Sequence, residues 1–224
     1  MPTHPPRRRG FRALVPERTW NTLCQQGNER TYAPGQPIFV RGAPAATVLL
    51  LTAGRVEVGF AIREGDYRLL ALRGTGDVIG ELASDAGGIR TADVVALDEC
   101  AAIELSADTF ERLLAHDGSD RQVRRYVTAK LLHSSQAMVD MSALAPLPRI
   151  ARLLLQLAEL ADPGRDCGVI PLSQTKIGYL LGLSRSRVSL LVNRLCDEGV
   201  LRIKPALTVE HFDLLRQHAY PKPV

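Results

Sequence analysis

The chain has 224 residues, 46% apolar and 23% charged, enough for one large or two modest domains with real cores. That composition excludes a disordered, collagen-like or disulfide-scaffold chain, and the apolar run Val48–Leu51 falls far short of the ~20 residues a bilayer span takes. The net charge of +4 is uneven: residues 1–12 carry four Arg and no acid, residues 13–145 carry 13 basic against 17 acidic residues, and residues 146–224 carry 11 against seven.

In chain order, Met1–Arg12 is rich in Pro and Arg with no apolar stretch behind it, which predicts a basic tail, no secretory signal and a cytoplasmic protein. Pro16–Gln26 has the pattern of a short helix. From Thr31 to Leu105, short Val/Ile/Leu-rich runs (Pro37–Val40, Val48–Leu51, Arg55–Ile62, Arg68–Leu72, Val78–Ile79, Asp93–Ala96 and Ala101–Leu105) alternate with breakers. These sit at Gly42, Gly54, Gly65–Asp66, Gly74, Gly76 and Gly87–Gly88. Many short strands at this spacing predict a small barrel or jelly roll. Ser106 then caps a helix whose apolar residues are Phe110, Leu113 and Leu114.

The run from Ser119 to Leu144 contains no Gly or Pro. Within it, Val127, Leu131, Ser134, Met138, Met141 and Ala145 alternate at four- and three-residue steps, the stripe of a coiled-coil seam. A core helix would carry the same stripe; the 26-residue length favours a homodimer seam over residues 119–145. Pro146 and Pro148 mark a hinge, since proline cannot continue the hydrogen-bond ladder. Arg149–Leu160 is an amphipathic helix that Asp162-Pro163-Gly164 ends.

The last third holds the most specific signal. Ser173 caps one helix, Gly182 supplies a left-handed turn and Ser184 caps the next, which together make a helix-turn-helix. Val200–Ile203 and Leu207–Val209 around Lys204-Pro205-Ala206 add the wing of a winged helix. In such a motif the second helix enters the major groove. Arg185, Ser186 and Ser189 are the base-facing candidates, and Arg185 has the fork that pairs with guanine O6 and N7. Arg187, Arg194, Ser173, Gln174 and Lys204 suit phosphate contact. The fold class expected is therefore α+β: a β-roll over 13–118, a dimerisation helix over 119–145 and a winged helix over 146–224.

A second constellation lies in the β region: Gly76-Asp77-Val78-Ile79-Gly80-Glu81-Leu82, then Arg90-Thr91-Ala92-Asp93. A glycine turn leading into a short helix offers backbone N–H groups to an anion, with Arg90 closing on it and Thr91 adding a hydroxyl. Glu81 can accept a bond from a ribose hydroxyl. The residues alone leave a second reading equally open, a structural Glu81–Arg90 ion pair bracing the turn. Cys24, Cys100, Cys167 and Cys196 are scattered singly, and the five histidines form no ligand pair, so no metal, haem or iron–sulfur cluster is expected. With no Ser/His/Asp set and no nucleotide-triphosphate loop, the chain reads as a binding protein rather than an enzyme.

This order, a glycine-rich β-roll, the Gly80-Glu81-Leu82…Arg90-Thr91-Ala92 cassette, a long helix and Leu183-Ser184-Arg185-Ser186-Arg187-Val188-Ser189-Leu190-Leu191, resembles the Crp–Fnr superfamily of bacterial transcription regulators. Arg149-Ile150-Ala151 and Glu198-Gly199-Val200-Leu201 add to the likeness. The resemblance implies a homodimer that binds double-stranded DNA, and RNA polymerase if it activates, without membrane association. It implies a cyclic nucleotide, cAMP first, held at Gly80, Glu81, Leu82, Arg90 and Thr91. By alignment on Arg149-Ile150-Ala151 it also implies adenine contacts from Ser134 and Ser135. Departures are Ser84-Asp85, Ile89 and Asp93 in the cassette, and Ser186 and Leu190 in the recognition helix, where the family carries an acid and an arginine. Two alternatives stay open: the same fold acting without ligand or sensing another metabolite, and a nucleotide-binding signalling module with a protein partner.

Overall fold

The run Val48–Leu51 is apolar at every position because it forms a strand covered on both faces. Val48 and Leu50 face one core, with Phe11, Trp20, Leu23, Phe110, Leu114 and Tyr126. Leu49 and Leu51 face another, with Val56, Ile79, Val94 and Cys100. The computed structural model describes residues 8–63, 66–85, 88–162 and 168–221. Met1–Arg7, the breakers Gly65 and Gly87, the Pro163-Gly164 terminator, Cys167 and the side chains of Ser84, Asp85, Met138 and Met141 lie outside the described residues.

After a 3-10 turn at Gly10–Ala13 and helix α1 (Glu17–Gln26), the strands are β1 (Asn28–Tyr32), β2 (Pro37–Phe39), β3 (Thr47–Ala53), β4 (Arg55–Arg63), β5 (Asp66–Gly74), β6 (Val78–Ile79), β7 (Asp93–Ala96) and β8 (Cys100–Ser106). A single turn, α2 (Leu82–Asp85), interrupts them. They form two four-stranded sheets, β1-β8-β3-β6 and β2-β7-β4-β5. One core lies between the sheets and the other between the first sheet and the helices. β1 was not expected as a whole strand: Asn-Glu-Arg-Thr-Tyr shows no apolar alternation, and its place comes from pairing with β8, Asn28 opposite Glu104 through Tyr32 opposite Cys100.

Helix α3 (Ala107–His116) starts where Ser106 accepts a bond from the Thr109 N–H. Helix α4 (Asp120–Ala143) is the long helix. The helical break that follows is shorter than the prolines suggest. Helix α5 runs Pro146–Leu160 with proline in its first turn, so Pro146 opens the helix rather than preceding it. At that position the missing N–H has no intrahelical partner to lose.

Then come α6 (Gln174–Leu181), α7 (Arg185–Asp197), β9 (Leu201–Arg202), β10 (Thr208–Val209) and α8 (Phe212–Ala219). β9 and β10 pair antiparallel, Thr208 opposite Arg202. Ile150, Leu154, Leu157, Ile177, Leu180, Val188, Val192, Leu195 and Leu215 are fully buried in this three-dimensional cluster of helices. The fold is therefore mixed α+β. The chain divides into two compact units, Met1–Val58 with Arg73–Ser134, and Gly59–Leu72 with Ser135–Val224.

Candidate functional site

In the first unit the cassette is built around one glycine. Gly80 leaves β6 with φ +93°, and a Cβ there would fall 2.5 Å from Arg90 Nη1, 2.9 Å from the Phe39 ring and 3.0 Å from the Thr47 carbonyl oxygen. Only glycine leaves room for the guanidinium. Arg90 Nη2 donates to the Thr47 carbonyl at 2.8 Å and to Thr47 Oγ1 at 3.1 Å, and Nη1 donates to the Gly80 carbonyl at 3.3 Å. Its carbon lies 3.5 Å from the Phe39 ring centroid. Burial pulls the Arg90 pKa below the ordinary value, and the charges of Glu104 and Glu81 oppose that. Among the described residues no carboxylate comes within ion-pair distance of it. A buried cation answered by two carbonyls, a hydroxyl and a ring rather than by an opposite charge is suited to an incoming anion.

Glu81 is 7% exposed. Its Oε1 accepts from Lys130 Nζ at 2.5 Å, so the alternative of a Glu81–Arg90 ion pair is not what forms. Its Oε2 is buried with no hydrogen-bond partner among the described residues. Lys130 also donates to the Val78 carbonyl at 2.9 Å, and its ammonium sits 5.0 Å from the Tyr126 ring. Burial lowers the Lys130 pKa, with Glu81 pulling it back up. One turn earlier on α4, the Tyr126 hydroxyl donates to Asp77 Oδ1 at 2.9 Å and accepts from the Val78 N–H at 3.0 Å. Burial raises the Tyr126 phenol well above its ordinary pKa, and Asp77 adds to that. Asp77 Oδ2 in turn accepts from the Gly74 N–H at 3.0 Å.

Gly80, Glu81 and Arg90 thus meet, while Leu82 is half-buried and Thr91 exposed beside them. Asp93 carries its charge elsewhere, accepting the Arg41 N–H at 2.8 Å. Ser134 and Ser135 stand one turn beyond Lys130 on α4, half-buried and exposed. Sequence reading missed Lys130, Tyr126, Thr47 and Phe39. The available signal was Lys130 itself, a cation four residues after Tyr126 and four before Ser134, hence on one helix face with both.

In the second unit, Ser173 accepts from the Lys176 N–H at 3.1 Å and so starts α6. Gly182, at φ 62° and ψ 38°, makes the turn, and Ser184 accepts from the Arg187 N–H at 3.2 Å to start α7. Val188, Leu191, Val192 and Leu195 are the buried face of α7. Arg185, Ser186, Arg187, Leu190, Asn193 and Arg194 are exposed, and Ser189 is half-buried. Ser173 and Lys204 are exposed, Gln174 half-buried. Arg149, whose pKa burial lowers, donates to the Leu181 carbonyl and so closes the end of α6. That explains the arginine of Arg149-Ile150-Ala151; the other two positions are buried. The wing is held by Arg202, which donates to Glu210 at 2.5 Å and to the Lys204 carbonyl at 2.6 Å.

Comparison with known proteins matches residues 29–117 to the cyclic nucleotide-binding domain and residues 148–218 to the Crp-like helix-turn-helix domain. The chain is similar to the cyclic AMP receptor protein of Thermus thermophilus, 28% identical over 204 residues that cover 89% of this chain and 90% of that protein. It is also similar to the cAMP-activated global transcriptional regulator CRP of Salmonella typhimurium, 27% identical over 174 residues, 76% of this chain and 83% of that one. Among solved structures, FixK2 from Bradyrhizobium japonicum has the same fold, with a TM-score of 0.75 at 20% identity over 88% of this chain and 99% of that one.

Proposed function

Because the chain belongs to the Crp–Fnr family of transcription regulators, which bind DNA through a helix-turn-helix and are not enzymes, we propose that a cyclic nucleotide, cAMP first, controls it through the Glu81–Arg90 cassette. The observation that carries this reading is the pairing, around Gly80, of a buried Arg90 with a buried Glu81 Oε2, the first without a carboxylate and the second without a hydrogen-bond partner among the described residues. Arg90 and Thr91 then hold the cyclic phosphate. Glu81 Oε2 accepts a hydrogen bond from the ribose 2′-hydroxyl, while Oε1 stays on Lys130. Gly80 and Leu82 line the turn, and Ser134 and Ser135 receive the base, one from each subunit of a dimer joined through α4. In the DNA-reading part, Arg185, Ser186 and Ser189 meet base edges while Arg187, Ser173, Gln174 and Lys204 meet phosphates.

The link from ligand to DNA is α4. Tyr126 and Lys130 anchor it to β6 and Glu81, so a ligand that favours one arrangement of the cassette favours one arrangement of the helix. If this protein activates transcription, RNA polymerase is a further partner. Among the described residues no helix is long and apolar enough to cross a membrane.

Isothermal titration of the full chain with cAMP and cGMP tests the ligand. Saturable binding is expected, weakened at least tenfold in Arg90→Gln, with circular dichroism checking that the variant stays folded. No heat with either nucleotide at millimolar concentration overturns the cyclic-nucleotide reading. It would favour regulation without one, the Lys130–Glu81 pair then serving only to brace the turn.

A further inference from the structure

The outer ridge of α7 is not wholly polar. Leu190 is 60% exposed there. It lies four residues after Ser186 and three before Asn193, both exposed, and opposite the buried Val188, Leu191, Val192 and Leu195. With 3.6 residues per turn, that spacing puts Ser186, Leu190 and Asn193 in one row along the helix. Arg187 and Arg194, exposed three residues before and four after Leu190, line one side of the row with positive charge. A helix that carries cations beside such a row is drawn to phosphates, and the row then faces the groove floor.

Leucine offers no hydrogen bond. Against guanine N7 and O6, adenine N7 or the cytosine amino group it strips water from a polar atom and leaves that atom unpaired. The one apolar group in the major groove is the thymine 5-methyl. We infer that Leu190 is a specificity-determining residue that packs on the 5-methyl group of a thymine in each half-site. That thymine belongs to a base pair other than the one Arg185 reads, since the two side chains are five residues, or about 7.5 Å of helix rise, apart. The inference rests on α7 being the groove-reading helix.

The test is selection of bound sequences from random duplex DNA by the full chain, with and without millimolar cAMP. Each thymine of the selected site is then replaced singly by deoxyuridine, which removes only the methyl. Wild type is expected to weaken about three- to fivefold at one thymine per half-site, roughly the worth of one buried methyl group. Leu190→Ala is expected to be indifferent to that replacement and to select a site with relaxed preference at that position only. Arg185→Ala is expected to relax a different position. A selected motif that depends on Arg185 but is insensitive to deoxyuridine, or unchanged in Leu190→Ala, overturns the thymine contact alone. Failure of wild type to enrich any motif under either condition overturns the groove-reading role of α7 and this inference with it.

Discussion

At the scale of single residues, the Lys130–Glu81 pair sets the character of the cassette. The side chains are 11% and 4% exposed, so each charge depends on the other for what water no longer supplies. Removing one partner of such a pair strands the other, which typically costs ~3–5 kcal/mol, whereas removing both is far milder. Lys130→Met is therefore expected to lower the unfolding free energy by about 3 kcal/mol in urea titrations. Lys130→Met with Glu81→Gln should recover most of that loss. Strictly additive losses would show that the two residues act independently. Arg90 has a different logic: its hydrogen bonds to Thr47 and Gly80 fix where the guanidinium sits, yet among the described residues leave its charge without a carboxylate. Nothing in the spacing of residues 80–90 foretold that Glu81 would turn to α4 rather than to Arg90, because Lys130 is about fifty positions away in sequence.

At the scale of elements, helix ends were the most legible features. Ser106, Ser173 and Ser184 all accept the N–H three residues on, as their positions before apolar periodic runs predict. Ser184→Ala is expected to cost about 1 kcal/mol of stability, and Ser184→Gly only a few tenths, because a cap lost to glycine is partly compensated by backbone freedom. Chemical denaturation reads both. A less legible device joins α1 to the start of α4. Thr19 donates to Asp117, Ser119 donates to the same carboxylate oxygen at 2.9 Å, and Arg18 lies 3.6 Å away. The Thr19 bond above all, then Ser119 and Arg18, hold the Asp117 carboxyl below its ordinary pKa. A carboxylate with a depressed folded pKa stabilises above its unfolded pKa of about 4, and that contribution is lost as pH falls through the folded value. Asp117→Asn should therefore lower the urea midpoint at pH 7, with the gap from wild type closing below about pH 4. A gap that stays constant with pH would show that the carboxylate's charge plays no part.

At the scale of the whole molecule, α4 carries both the tie to the cassette and the apolar stripe of the proposed dimer. Leu131 is 54% exposed and Leu132 65%, an unusual share of water-facing leucine for one stretch of helix. Leu131→Glu is expected to convert a dimer into a monomer in sedimentation equilibrium and to lower affinity for a two-half-site duplex at least a hundredfold, since each head then binds alone. An unchanged mass would place the dimer contact elsewhere. The uneven charge fits the same plan, with the net basic segment over 146–224 holding the helix-turn-helix.

The sequence by itself determined the β-roll, the long helix, the helix-turn-helix and its wing, because local signals specify each: glycine breakers between β-rich runs, a Gly- and Pro-free stretch, serine caps and one left-handed glycine. It also determined which residues form the cassette turn. Only the tertiary structure decided what those residues do to one another. β1 is a strand because β8 pairs with it. Asp93 spends its carboxylate on the Arg41 N–H. Glu81 divides its two oxygens, one on Lys130 and one without a partner among the described residues, because α4 packs across β6. Those outcomes depend on contacts between residues far apart in the chain, and the energy of a buried charge is set by whichever groups the fold brings within reach, which no local spacing encodes.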